Sequence, residues 1–123
     1  MNQTSQKSIA ILNTTAPFGK PNAKDALDIA LIMGTYEQDT HLFFQGDGVW
    51  QLISQQTPEA LNIKDFLKTF AAFEFYDLEN IYVCQQSLLE RNLPENFHID
   101  NVQVLNKNNF VSKLSQNDII LRF

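Results

Sequence analysis

A chain of 123 residues, 44% hydrophobic and 19% charged, has the composition of one globular domain, which excludes a disordered protein and leaves no need for a second core. Nine Lys and Arg against 14 Asp and Glu give a formal charge of −5; the basic residues are scattered, so no direct nucleic-acid binding is expected, since gripping a phosphate backbone takes clustered cations. No window reaches the ~18 consecutive apolar residues of a membrane span, and residues 1–7 (MNQTSQK) lack the apolar core of a signal peptide, so the reading is a cytoplasmic protein with a flexible tail over 1–7 and one domain over 8–123.

In chain order, Ser8-Ile9-Ala10-Ile11-Leu12 is a short apolar run that stops at Asn13-Thr14-Thr15-Ala16-Pro17-Phe18-Gly19, a loop punctuated by Pro and Gly. Ala23, Ala26, Leu27, Ala30, Leu31 and Gly34 then recur at helical spacing, and Ile29, Ile32, Met33 and Tyr36 form a second stripe. A helix apolar on two sides calls for cover on both, from the sheet and from either a partner chain or a neighbouring helix. His41-Leu42-Phe43-Phe44-Gln45 reads as a strand closed by the turn Gly46-Asp47-Gly48, and Val49-Trp50-Gln51-Leu52-Ile53 is too short to assign.

Thr57-Pro58-Glu59 has the marks of a helix start: a capping hydroxyl, a proline at the first helical position, and an acidic residue near the positive end of the dipole. Ile63, Phe66, Leu67, Phe70 and Ala71 continue it as an amphipathic helix. Ile81-Tyr82-Val83-Cys84 is a third apolar run, followed by a helical stretch over 85–92 that ends in Asn92, a residue that tolerates a left-handed cap. Val102-Gln103-Val104-Leu105 alternates as an edge strand does, a weaker helix follows from about Asn109 to Leu114, and Asp118 to Phe123 closes the chain as a fifth strand. Strand and helix alternating with short connections require crossovers, so the pattern predicts an α/β domain on a parallel sheet with helices on both faces.

In such a sheet, functional groups gather beyond the carboxyl ends of the strands, which selects Asn13 to Gly19, Gly46-Asp47-Gly48 and Cys84-Gln85-Gln86-Ser87. Cys84 is the only cysteine, so an intrachain disulfide and a multi-cysteine metal site are both out. At the start of a helix its thiolate would be favoured by unpaired amides and the dipole; the alternative is plain buried packing, and the residues alone leave both open. Gly-Asp-Gly is turn chemistry first. The loop Thr14 to Gly19 fails as a dinucleotide fingerprint or P-loop, and no cofactor or metal is expected. His41 and His98 stand at no spacing from Cys84 that marks a catalytic pair. The middle third is aromatic beyond the needs of a modest core, and Trp50, Phe73 and Tyr76, off the main stripes, are the candidates for an interface.

Taken together, five segments resemble the DsrE/DsrF-like sulfur-relay family, in its TusC (DsrF-type) branch. They are Thr14-Thr15-Ala16-Pro17-Phe18-Gly19, Phe43-Phe44-Gln45-Gly46-Asp47-Gly48-Val49-Trp50-Gln51-Leu52, Tyr76-Asp77-Leu78-Glu79, Val83-Cys84-Gln85-Gln86-Ser87-Leu88-Leu89-Glu90-Arg91 and Ile119-Ile120-Leu121-Arg122-Phe123. The resemblance implies a three-layer α/β/α domain on a five-stranded parallel sheet. It also implies a heterohexamer with TusB-like and TusD-like subunits, taking sulfur from an upstream carrier protein and handing it as persulfide to a downstream one, for 2-thiolation of the tRNA wobble uridine (mnm5s2U). Relatives of the DsrF type serve dissimilatory sulfur oxidation instead. The family's sulfur carrier is a cysteine after the third strand of the TusD-like sister. Cys84 holds the similar place here, which makes this chain a structural partner or, alternatively, a persulfide-carrying sulfurtransferase itself. Asn92 stands where relatives often have glycine.

Overall fold

The apolar runs over 9–12, 42–44 and 81–84 are buried along their whole length, because a run with no polar side to show must sit inside a sheet. The computed structural model describes residues 7–16, 22–35, 39–53, 80–97, 99 and 101–123. The strands are β1 (Ser8–Asn13), β2 (Asp39–Phe44), β3 (Ile81–Cys84), β4 (Val102–Leu105) and β5 (Ile119–Arg122). They form one sheet in the order β4-β3-β2-β1-β5 with every pairing parallel. The described helices are α1 (Asn22–Thr35), a 3-10 turn (Gly46–Gln51), α2 (Gln85–Glu90) and α3 (Lys107–Ser115). None of the described helices is long and apolar enough to cross a membrane. The amphipathic helix expected after Thr57 lies outside the described residues.

The strand order explains the layers. From β1 to β4 the chain steps across the sheet in one direction, and from β4 it returns past β1 to reach β5. Right-handed crossovers therefore put α1 and α2 on one face and α3 on the other. Ile9, Ile11, Leu42, Phe44, Ile81 and Val83 point to the first face, where they pack with Ala26 and Ala30 of α1, Val49, Leu52 and Ile53 around the 3-10 turn, and Leu88 of α2. Ala10, Leu12, Phe43, Tyr82 and Cys84 point to the second, under Phe110 of α3. Phe43 meets Phe110 edge-on at 5.4 Å and lies tilted against Tyr82 at 4.9 Å, both favourable aromatic geometries.

The ends of the elements follow local chemistry. Helix α3 starts two residues before the expected position because Asn106 caps it, its side chain accepting from Asn109 N at 2.8 Å. Helix α2 closes with Asn92 at φ 53°, and Asn92 N donates to Leu89 O while Leu93 N reaches back to Leu88 O. This is the Schellman arrangement, and Leu93 completes it by packing against the cluster that holds Leu88. Of the second apolar stripe on α1, Ile29 and Met33 pack against the core, whereas Ile32 stays 52% exposed.

Candidate functional site

The carboxyl rim of the sheet is stitched strand to strand. At the end of β1, Asn13 is buried, and its Nδ2 donates to Ile11 O and Phe43 O, fastening the tips of β1 and β2. Gln45 N donates to Asn13 O at 3.1 Å as the chain leaves β2. Gly46 then takes a left-handed conformation (φ +56°), and Gly48 passes so close to Asn13 that an ideal Cβ there would lie 2.1 Å from the Asn13 carbonyl oxygen. Both glycines of the Gly-Asp-Gly turn are thus required, one for dihedral freedom and one for close approach. The tip of β5 joins the same rim: Thr14 N, Thr14 Oγ1 and Thr15 Oγ1 all donate to Phe123 O. Gln51 Nε2 adds a bond to Thr15 O at 2.9 Å.

A second clamp ties the turn after β2 to α2. Gly46 N donates to Ser87 Oγ at 2.9 Å, Arg91 Nε donates to Asp47 Oδ1 at 3.1 Å, and Arg91 Nη1 donates to Ser87 O at 3.2 Å. Asp47 therefore orients a neighbour, as well as shaping the turn. Ser87 and Arg91 carry no such sign in sequence, since their partners lie some forty residues away. The fully conjugated guanidinium suits this forked contact, though Asp47 is solvent-exposed and the pair is worth under about 1 kcal/mol.

Cys84 sits at the end of β3 and forms the N-cap of α2, with extended dihedrals and no side-chain cap bond. Alternation along β3 turns it to the α3 face with Tyr82, and it is only 5% exposed, in an apolar cluster with Leu12, Phe43 and Phe110. The expected place in the fold is found; the side chain points into the core.

His41 is not Cys84's partner. Leu42 pairs with Ile81, which puts His41 four residues below Cys84 along the strands, about 13 Å away at the rise of a parallel sheet. The His41 ring contacts Asp39 Oδ1 through Nε2 at 2.9 Å and stacks on Tyr82 at 6.2 Å. Lys113 Nζ of α3 lies 5.4 Å from the centre of that tyrosine ring, within cation–π range. This polar and aromatic column joins α3 to the amino half of the sheet. Trp50 is half-buried in the 3-10 turn. Phe73, Tyr76 and His98 lie outside the described residues.

Comparison with known proteins matches the model of the DsrE/DsrF-like family to residues 7–123. The chain is 36% identical over 109 residues to a protein called TusC homolog from Aliivibrio fischeri, covering 89% of this chain and 92% of that one. It is 36% identical over 118 residues to Protein TusC from Shigella flexneri, covering 95% and 99% respectively, with the same figures for Protein TusC from Escherichia coli. Among solved structures, the ychN protein from E. coli superimposes with a TM-score of 0.72 over 97% of this chain and 100% of that one, at 24% identity; that likeness concerns the fold.

Proposed function

The chain belongs to the DsrE/DsrF-like family, and from that premise we propose that it is the TusC-type subunit of a cytoplasmic sulfur-relay complex, passing persulfide sulfur between carrier proteins for 2-thiolation of the tRNA wobble uridine. Its companions are TusB-like and TusD-like chains in a heterohexamer. The observation that carries the reading is identity spread along nearly the full length of both chains, which no single motif would produce. The relay cysteine belongs to the TusD-like companion, and this chain shapes the assembly, with Trp50, Phe73 and Tyr76 as contact candidates. Burial of Cys84 in an aromatic cluster supports that division of labour, because a thiol that exchanges sulfur between proteins must be reachable by an attacking thiolate.

The test is genetic. In bacteria deleted for their own TusC-type chain, this chain should restore 2-thiouridine, read by mass spectrometry of digested tRNA, and its Cys84→Ser variant should restore it nearly as well. Failure of the wild-type chain to restore thiolation while it co-purifies with the companion subunits would refute the relay role. A second reading has one feature in its favour, the position of Cys84 at the strand end where α2 begins: the thiol itself receives a persulfide sulfur. Loss of thiolation in Cys84→Ser, with the complex still assembled, would select it.

A further inference from the structure

The two edges of the sheet differ. At β4, Val102, Val104 and Leu105 are half-buried and the outward residue is the polar Gln103. At β5, Ile119 is 39% and Ile120 46% exposed. Exposed sheet edges are normally blunted by charge, proline, a bulge or a covering segment; β5 carries one charge, Arg122 at its end, and Ile119-Ile120-Leu121 has neither charge nor proline. Nor is the strand loose. Ser8 N and Oγ bond Asp118 Oδ2 at its start, and the Thr14 and Thr15 hydroxyls hold Phe123 O at its end.

The exposure lies on both faces of one edge. Ile119 pairs with Ile9 and projects to the α1 face, while Ile120 pairs with Ala10 and projects to the α3 face. A helix laid on the domain would cover one of them; a strand added in the plane of the sheet covers both. Phe123 N donates to Leu12 O, so odd residues of β5 direct their backbone groups at β1, and alternation turns the N–H and C=O of Ile120 outward.

The segment is also complementary to itself. Laid antiparallel and centred on Ile120, it sets Ile120 opposite Ile120, Ile119 opposite Leu121, and Asp118 opposite Arg122 of the second copy. Asp118 and Arg122 are both exposed, and among the described residues Asp118 Oδ1 carries no hydrogen bond. From this charge match and the two-faced exposure we propose that β5 pairs edge to edge with β5 of a second copy of this chain, about a two-fold axis at Ile120 perpendicular to the sheet. Two five-stranded sheets become one of ten strands, with the α1 layers on the same side. Such a contact is isologous and closed, and it stands independently of the relay reading.

The test uses the purified full-length chain. At the axis the two Ile120 Cα atoms would lie about 5.5 Å apart, within disulfide reach. Mild oxidation of Ile120→Cys should yield a linked dimer, and Val111→Cys, an exposed site on α3, should not. Sedimentation velocity should show a wild-type dimer that Ile120→Lys converts to monomer, because two ammonium groups then meet at the axis. Arg122→Asp should weaken the dimer at least tenfold. A wild-type monomer with no Ile120→Cys crosslink, or an oligomer that Ile120→Lys leaves intact, overturns the proposal. If Ile120→Lys fails to fold by circular dichroism, the crosslink alone decides.

Discussion

Replacing Gly48 with alanine would press a methyl group into the backbone of β1. The new Cβ would lie 2.1 Å from the carbonyl oxygen of Asn13, 2.6 Å from its carbon and 3.1 Å from Thr14 N. These are main-chain atoms of a strand paired on both sides, so they cannot swing aside as a side chain would. The 3-10 turn must instead retreat by about 1 Å, which strains the close-packed contacts beneath it. Its retreat weakens the bonds from Gln45 N to Asn13 O and from Gly48 N to Gln45 O, each worth about 1 kcal/mol net. Val49 and Leu52, fully buried, shift with it, and overpacking of this kind costs about 1–3 kcal/mol. The sum, roughly 3–5 kcal/mol, is a large share of the ~5–15 kcal/mol that holds a domain folded.

Urea unfolding reads this directly. With a slope of ~1–3 kcal/mol per molar, the midpoint of Gly48→Ala should fall by roughly 2 M. Gly46→Ala is the control, because a Cβ there has room: its nearest neighbours are Thr14 O at 3.8 Å and Arg91 Nη2 at 4.0 Å. That substitution should cost only the left-handed penalty of about 1–2 kcal/mol. Gly48→Ala losing less than Gly46→Ala would refute the close-approach argument.

Two further substitutions probe the framework. Asn92→Gly should match or exceed the wild-type melting temperature, whereas Asn92→Ala should lower stability by about 1 kcal/mol, since both occupy φ 53° and only glycine does so without strain. Phe110→Ala removes the residue through which α3 covers Phe43, Tyr82 and Cys84, and should cost about 3–5 kcal/mol in a denaturant titration; a loss below 1 kcal/mol would mean the α3 face is held by something else.

The parallel α/β class and the strands were legible because short runs such as Ile81 to Cys84 are apolar at every position and end in Asn, Gly or helix-starting residues. Strand order was not: a run reads the same at the centre of a sheet as at its edge, and only the pairing of Ile9 with Ile119 shows that β5 returns to the far side of β1. The 3-10 turn escaped assignment because Gly46 to Gln51 fits neither a helical nor a strand period. The early start of α3 comes from Asn106, whose side chain caps the backbone of residue 109; several asparagines in 101–109 could serve as that cap, so the residue type alone does not fix the boundary. Asp47 with Arg91, and His41 with Tyr82, are joined across the sheet, and sequence distance hides such pairs. At the candidate site the place of Cys84 at the strand end was legible, while the residues left a reactive and a buried thiol both open until the parity of β3 was known.

That direction follows from the parity of β3. Tyr82 and Cys84 share a face, Ile81 and Val83 the other, and both faces are buried. The loop clamp of Gly46, Asp47, Ser87 and Arg91 is built beside this strand end, yet the thiol turns toward the α3 layer, against Phe43 and Phe110. There a cysteine behaves as a small apolar residue, and burial in such surroundings keeps structural thiols inert. Adding a sulfur atom to it would enlarge a packed side chain at a cost of about 1–3 kcal/mol. The same rim would serve a sulfur carrier only if the chain opened between α3 and β3, so solvent protection of Cys84 against a small thiol reagent, slow while α3 is docked and fast in Phe110→Ala, is the measurable signature of a thiol kept for packing.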